Sequence, residues 1–160
     1  GGNLNGDITL VEFIDYKCGY CKKAHGEVEK LLSTDGNIRF IIKEFPILGE
    51  DSLKMSKFAL AVKIAHGDKA YKVVHDILIK MKAAPSTKAF DRIINNLNLD
   101  KKLVQDAMES PEVKGIIADT RNLAEKLKIS GTPTFVMKDE LIRGYVPFDA
   151  LTEIVANKRG

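Results

Sequence analysis

Two thiols stand two residues apart in Cys18-Gly19-Tyr20-Cys21, where an apolar run gives way to a helical pattern, and the chain has no other cysteine. The run before them, Ile8-Thr9-Leu10-Val11-Glu12-Phe13-Ile14, is apolar on both faces and rich in β-branched and aromatic side chains. Such a run predicts a central strand over residues 7–15, covered on both sides. After the thiols Cys21, His25, Val28 and Leu32 recur at helical spacing, so a helix is expected from Cys18 to Leu32, ended by Ser33-Thr34-Asp35-Gly36. Asn37 to Phe45 reads as a second buried strand, stopped by Pro46. Strand, helix and strand at this spacing make a βαβ unit, whose two strands run parallel.

The pattern then changes. From about Asp51 to Leu127 only helical periodicity is visible, broken at His66-Gly67-Asp68, Ala84-Pro85-Ser86, Leu99-Asp100 and Ser110-Pro111. Four or five helices fit, with Ser86 and Asp100 as N-caps and Pro111 in a first helical turn. Strands return over Thr134–Lys138 and Leu141–Val146, joined by a tight turn at Asp139-Glu140, and Pro147 starts a last helix through Asn157. The order is βαβ, a helical insertion over 51–127, then ββα, within one domain of 160 residues.

Composition narrows the function classes. A hydrophobic fraction of 44% and a charged fraction of 29% are ordinary for a globular chain, and no apolar run approaches the roughly 20 residues of a membrane span. A net charge of +3, with lysines spread along helical faces and no interleaved aromatics, argues against nucleic acid as a partner. No charged-then-apolar leader precedes the first strand, so a signal peptide would be absent from this chain, and Gly1-Gly2 is readable as a cloning remnant. A disulfide between Cys18 and Cys21 would close too small a loop to restrict the unfolded chain much, so its value is chemical.

Thiol–disulfide exchange needs an accessible thiolate and a second thiol to resolve the mixed disulfide. Cys18, at the helix start, has unpaired backbone N–H groups and the positive end of the helix dipole beside it, which makes it the nucleophile. Cys21, one turn further in, is the resolving thiol. Gly19 and Tyr20 carry no charge, so the dipole is expected to supply most of the thiolate's stabilisation, with Lys17 adding to it if its ammonium lies near. The competing reading is half of a zinc site, for which the imidazoles are His25, His66 and His75. His25 follows Cys21 on one helix face, although a packed or surface histidine explains it as well. His66 reads as a helix C-terminal residue and His75 as mid-helix.

Cys18-Gly19-Tyr20-Cys21 at the first strand–helix junction, a helical insertion, and Gly131-Thr132-Pro133 before the third strand together resemble the α/β thioredoxin fold carrying a helical insertion. More narrowly the chain is similar to the DsbA-like family of bacterial envelope disulfide oxidoreductases, including its ScsC-like branch, over essentially its whole length. The resemblance implies that Pro133 is cis and faces the thiols, and that Thr132 offers backbone groups to an extended substrate. The bare sequence says only that a proline starts a strand, which a trans turn also satisfies. Glu12 lies where thioredoxin-like proteins keep a buried acid beneath the resolving cysteine; there it would shuttle a proton to Cys21, with Lys43 as its partner. The alternative is a Glu12 aimed at an edge or solvent. Asp15 and Tyr16 read as loop residues. Gly19, Tyr20, Thr132 and Pro133 form the expected substrate-binding set, and Ile129, Phe45 and Pro46 are either added peptide surface or core. Family members commonly carry a further strand upstream, so an edge strand and any oligomerisation element are expected in a longer natural form.

The residues and the resemblance together imply a protein thiol–disulfide oxidoreductase of the periplasm, needing no metal or organic cofactor. Its substrates would be unfolded or misfolded proteins, and a Dsb-type membrane partner would reset it. Gly-Tyr between the cysteines and Thr before the proline look like the envelope disulfide isomerases, whereas the insertion looks like the oxidases. Dithiol oxidase is the default for this chain; an isomerase or reductase acting as a homo-oligomer is the alternative. A redox-sensing or chaperone-like peptide-binding module stays open as a different class.

Overall fold

The computed structural model describes residues 1–160. Strand β1 (Ile8–Ile14) leads into α1 (Gly19–Thr34), which returns to β2 (Ile38–Glu44) parallel to β1, with Glu12 opposite Ile42 and Phe13 opposite Lys43. Five helices follow: α2 (Glu50–His66), α3 (Asp68–Lys80), α4 (Thr87–Asn96), α5 (Lys101–Met108) and α6 (Pro111–Lys126). The chain then closes with β3 (Thr134–Met137), β4 (Glu140–Arg143) and α7 (Phe148–Arg159). The sheet order is β2-β1-β3-β4, with β3 antiparallel to both neighbours. This is the thioredoxin fold with its helical insertion.

The helix ends follow local chemistry. Ser86, Asp100 and Ser110 each accept the backbone N–H three residues on, and Pro111 opens α6. Gly67, at φ 88°, ends α2 and starts α3, a backbone position that L side chains avoid. The β3–β4 turn falls on Lys138-Asp139, one residue earlier than the sequence suggests, and Met137 pairs with Glu140.

Alternation along β1 sends its side chains to two different layers. Ile8 and Leu10 pack with α1 and α7 residues such as Ala24, Val28, Leu31 and Leu151. Phe13 points the other way, to Phe45, Ala124 of α6 and Ile129. The insertion builds its own core around α2, which is buried along most of its length from Ser52 to Val62 and so cannot show an amphipathic stripe. That core of 21 buried residues includes Cys18 and Cys21. The insertion therefore forms one wall of the thiol site.

Gly1–Asn3 run antiparallel along the outer edge of β2: the Phe40 amide donates to Gly1 O at 2.9 Å and the Asn3 amide to Ile38 O at 2.8 Å. Gly2 sits at φ 64°, and a Cβ there would lie 2.3 Å from Ile38 O. Only glycine fits at position 2.

Asp15 joins the sheet to the insertion. Fully buried, its carboxylate accepts from the amides of Lys17, Ile47 and Leu48 at 2.8, 2.8 and 3.0 Å and from Ser52 Oγ of α2 at 2.7 Å. Removing it strands several donors at once. Asp15→Ala is expected to cost about 3 kcal/mol, read as a lower urea midpoint at unchanged slope.

Candidate active site

Cys18 is the N-cap of α1. Its Sγ accepts the Cys21 amide at 3.3 Å, and its S–H donates to Thr132 O, also at 3.3 Å. The Asp15 carbonyl accepts the Cys18 amide at 3.1 Å and holds the turn before the helix. Both cysteines are free thiols. The Cys21 thiol, hydrogen-bonded to the Cys18 sulfur, does most to bring the Cys18 pKa down from an ordinary 9.0 to about 6. Burial opposes this, and the side chain of Thr132 and the backbone N–H groups of Cys21 and Tyr20 reinforce it. The helix N-terminus thus contributes through specific N–H groups, while the main donor is the partner thiol. Exposed Lys17 is not among the groups responsible. Cys21 moves the opposite way, raised by the same bond to Cys18 and by its burial. Above a pH of about 6 the pair holds one proton, and Cys21 keeps it.

The Thr132–Pro133 peptide is cis. Pro133 O accepts the Gly144 amide at 2.8 Å, and Thr134 Oγ1 donates to Gly131 O at 2.8 Å, which fixes the loop against β4. A groove of about 330 Å³ runs along this loop, lined by Gly131, Thr132, Pro133 and Arg143 among others. A separate cavity of about 260 Å³ between Phe58, Phe90 and Met108 belongs to the insertion, outside this loop and the thiols. Tyr20 is 64% exposed beside Cys21, and Gly19 is exposed with nothing within 4 Å of where a Cβ would stand. Phe45, Pro46 and Ile129 are buried, Phe45 edge-on to Phe13 at 6.0 Å, so they are core and not peptide surface. Ile47 and Leu48, 38% and 54% exposed, present the apolar surface instead, and their amides are the ones Asp15 holds.

Glu12 is 3% exposed, and its Oε2 has no hydrogen-bond partner. Burial first, then the negative charges of Cys18 and Glu29, push its pKa up to about 8. Lys43 does not meet it. In the β1–β2 register Glu12 shares a face with Ile42, and Lys43 shares the opposite face with Phe13, lining a cavity against Ile116, Asp119 and Leu123 of α6. The pairing expected from sequence fails because strand side chains alternate and the register differs by one residue from the one that pairing needs.

Other buried polar residues escape sequence reasoning. Tyr16 is fully buried, its hydroxyl donating to Glu44 at 2.8 Å and lying 2.9 Å from His75 Nδ1. Tyr71 and Ser56 also donate to Glu44, at 2.6 and 2.8 Å. A polar pair right after a buried strand, Asp15-Tyr16, was the available signal. The zinc arrangement of Cys18, Cys21 and His25 is not assembled: His25 groups with His75 and Asp76.

Residues 9–156 match the DSBA-like thioredoxin domain. The chain belongs to that family. A thioredoxin-like oxidoreductase from Silicibacter pomeroyi DSS-3 is 39% identical and superposes with a TM-score of 0.91, over 99% of this chain and 90% of that one. The thiol-disulfide exchange protein alpha-DsbA2 of Wolbachia pipientis is 29% identical with a TM-score of 0.90, over 99% and 85%. The catalytic domain of Proteus mirabilis ScsC is 28% identical with a TM-score of 0.86, over 98% and 86%. Among curated relatives, Na(+)/H(+) antiporter NhaA 3 of Salinispora tropica is 25% identical over 154 residues, and this chain, which it matches over 96%, spans only 24% of its length. No helix of this DSBA-like domain is long and apolar enough to cross a membrane.

Two measurements check these shifts. Alkylation of Cys18 is expected to rise with pH through a midpoint near 6, because only the thiolate reacts, and Cys21→Ala is expected to move that midpoint upward by removing the main donor. For Glu12, a folded pKa near 8 against an ordinary 4.5 means the folded chain keeps a proton that the unfolded chain releases. Stability is then lost as pH rises from about 4.5 to about 8. Thermal melts of the reduced protein are expected to show Glu12→Gln gaining on the parent across that window and holding a constant lead above it.

Proposed function

We propose that this chain is a protein thiol–disulfide oxidoreductase acting as a dithiol oxidase on unfolded or misfolded proteins of the bacterial envelope. The observation that carries the reading is the Cys18 sulfur at the N-cap of α1, held between the Cys21 amide and the Thr132 carbonyl. In the oxidised protein a substrate thiolate attacks Cys18 Sγ, the Cys18–Cys21 bond breaks, and Cys21 leaves as a thiolate that needs a proton. Glu12, on the sheet face beneath α1 and protonated at neutral pH, supplies it. A second substrate thiolate then attacks the substrate sulfur of the mixed disulfide, which forms the substrate's disulfide and releases the Cys18 thiolate. The stability of that thiolate is the driving force.

Thr132 and Pro133 take the substrate backbone along their groove, while Gly19, Tyr20, Ile47 and Leu48 form the surface around the sulfur. A Dsb-type membrane partner in the periplasm would reoxidise the pair, and exchange itself requires no cofactor. A nucleophile near pKa 6 is less depressed than in the most oxidising family members and more than in thioredoxin. A depressed nucleophile stabilises the reduced form and makes the disulfide the more oxidising partner. A stable reduced dithiol also suits disulfide isomerisation, the second reading, in which that form works as a homo-oligomer that holds the substrate.

The experiment offers two substrates. Oxidised protein is expected to form disulfides in a reduced, unfolded client at one disulfide per chain, and Cys18→Ser to abolish this. Reduced protein is expected to rearrange a scrambled-disulfide client poorly. Efficient rearrangement that vanishes in Cys18→Ser would replace the oxidase with the isomerase, and no exchange with either client would leave a peptide-binding or redox-sensing module.

A further inference from the structure

One cluster of metal-ligating side chains lies outside the thiol chemistry. His25 of α1, His75 of α3 and Asp76 of α3 each bring one ligand atom within 4.8 Å of the other two. His25 is 8% exposed and its Nε2 is buried with no hydrogen-bond partner, 3.5 Å from Asp76 Oδ1. An orphaned buried nitrogen costs free energy unless something binds it. Four ligands set tetrahedrally at about 2.0 Å around an ion lie about 3.3 Å apart, so the His25–Asp76 edge already has the required length.

The surroundings set His75 up as a ligand as well. Glu44 accepts three hydroxyl groups, from Tyr16, Tyr71 and Ser56. With Glu44 ionised, the Tyr16 proton is spent on it, and the 2.9 Å contact with His75 runs from Nδ1–H to the Tyr16 oxygen. That tautomer leaves Nε2 with a bare lone pair and no hydrogen bond. A histidine held through its other ring N–H by an oxygen that is itself tied to a carboxylate is the usual outer support of a metal ligand. Burial keeps both rings neutral, the ligating form, taking the His75 pKa down to about 3 and lowering that of His25. Asp76 is partly exposed and opens a way in from solvent.

We propose that His25, His75 and Asp76 form a site for a divalent zinc-type cation, with water as the fourth ligand, clamping the thiol-bearing helix α1 to α3 of the insertion. Two imidazoles and one carboxylate with an open position suit zinc. The built-in competitor is Lys72, whose ammonium lies 2.6 Å from Asp76 Oδ1 and 2.9 Å from Glu29. A metal must share Asp76 with it or displace it toward Glu29. The site is independent of the direction of thiol exchange.

The test uses the oxidised protein, so that the thiols cannot bind metal, and titrates Zn²⁺ by calorimetry and Co²⁺ by visible absorption. One ion per chain is expected at micromolar affinity, with four-coordinate cobalt bands and a higher thermal midpoint. His25→Gln and Asp76→Asn, the second at a partly exposed position that tolerates it, are each expected to weaken binding at least about tenfold. Lys72→Met is expected to tighten it severalfold by freeing Asp76, an effect that mere packing of the histidines would not produce. Binding no tighter than millimolar, or an affinity that ignores any of these substitutions, would overturn the site.

Discussion

The short turn between β1 and α1 depends on the carboxylate of Asp15. That buried group has two oxygens and four protein donors, and it joins three segments distant in the chain: the turn itself, the loop after β2, and the first turn of α2. Its backbone oxygen takes the Cys18 amide, so the same residue sets where Cys18 begins its helix. Once that turn is fixed, Cys18 lies against Thr132 and Cys21 against the insertion core. The exposed apolar side chains of Ile47 and Leu48 are carried on the loop that the carboxylate pins. A buried anion satisfied by four donors is costly to form and more costly to break, so the arrangement has one well-defined geometry.

The thiol chemistry is an exercise in sharing one proton. Two sulfurs in hydrogen-bond contact cannot both ionise cheaply, and their surroundings divide the roles. Cys18 receives the Cys21 S–H and, behind it, backbone N–H donors and becomes the thiolate; Cys21, 1% exposed, keeps the proton. Glu12, on the sheet face that also carries Leu10, is an acid that burial holds protonated at neutral pH. Its unpartnered buried oxygen is kept at the expense of stability.

The insertion contributes more than bulk. It buries one flank of both cysteines, and through His75, Tyr71 and Ser56 it joins a polar network with Tyr16 and Glu44 at the ends of the two parallel strands. Lys22 adds a further tie, donating from α1 to the carbonyls of Ile79 and Met81 at the end of α3. Helices α1 and α3 are therefore joined by polar contacts along much of their shared length.

The order of elements was legible in the amino-acid sequence because local physics sets it. The apolar run of β1, the N-caps at Ser86 and Asp100, Pro111 in a first helical turn, the glycine break at Gly67 and the thiols at a helix start are all short-range signals. Residues that act across the chain were not legible. Glu12 and Lys43 look like a pair in one dimension, but register and alternation put them on opposite faces of the sheet. Phe45 and Ile129 read equally as surface beside the site or as core until packing against Phe13 buries them. Asp15 and Tyr16 look like loop because nothing nearby in sequence reveals the hydrogen-bond partners that reach them from 28 to 59 residues away. Sequence by itself determined the fold class and the two sulfurs, since strand, helix and cap preferences are properties of neighbouring residues. Tertiary structure alone decided which buried polar groups find partners, because that depends on which side chains the folded sheet and helices bring within about 3 Å of one another.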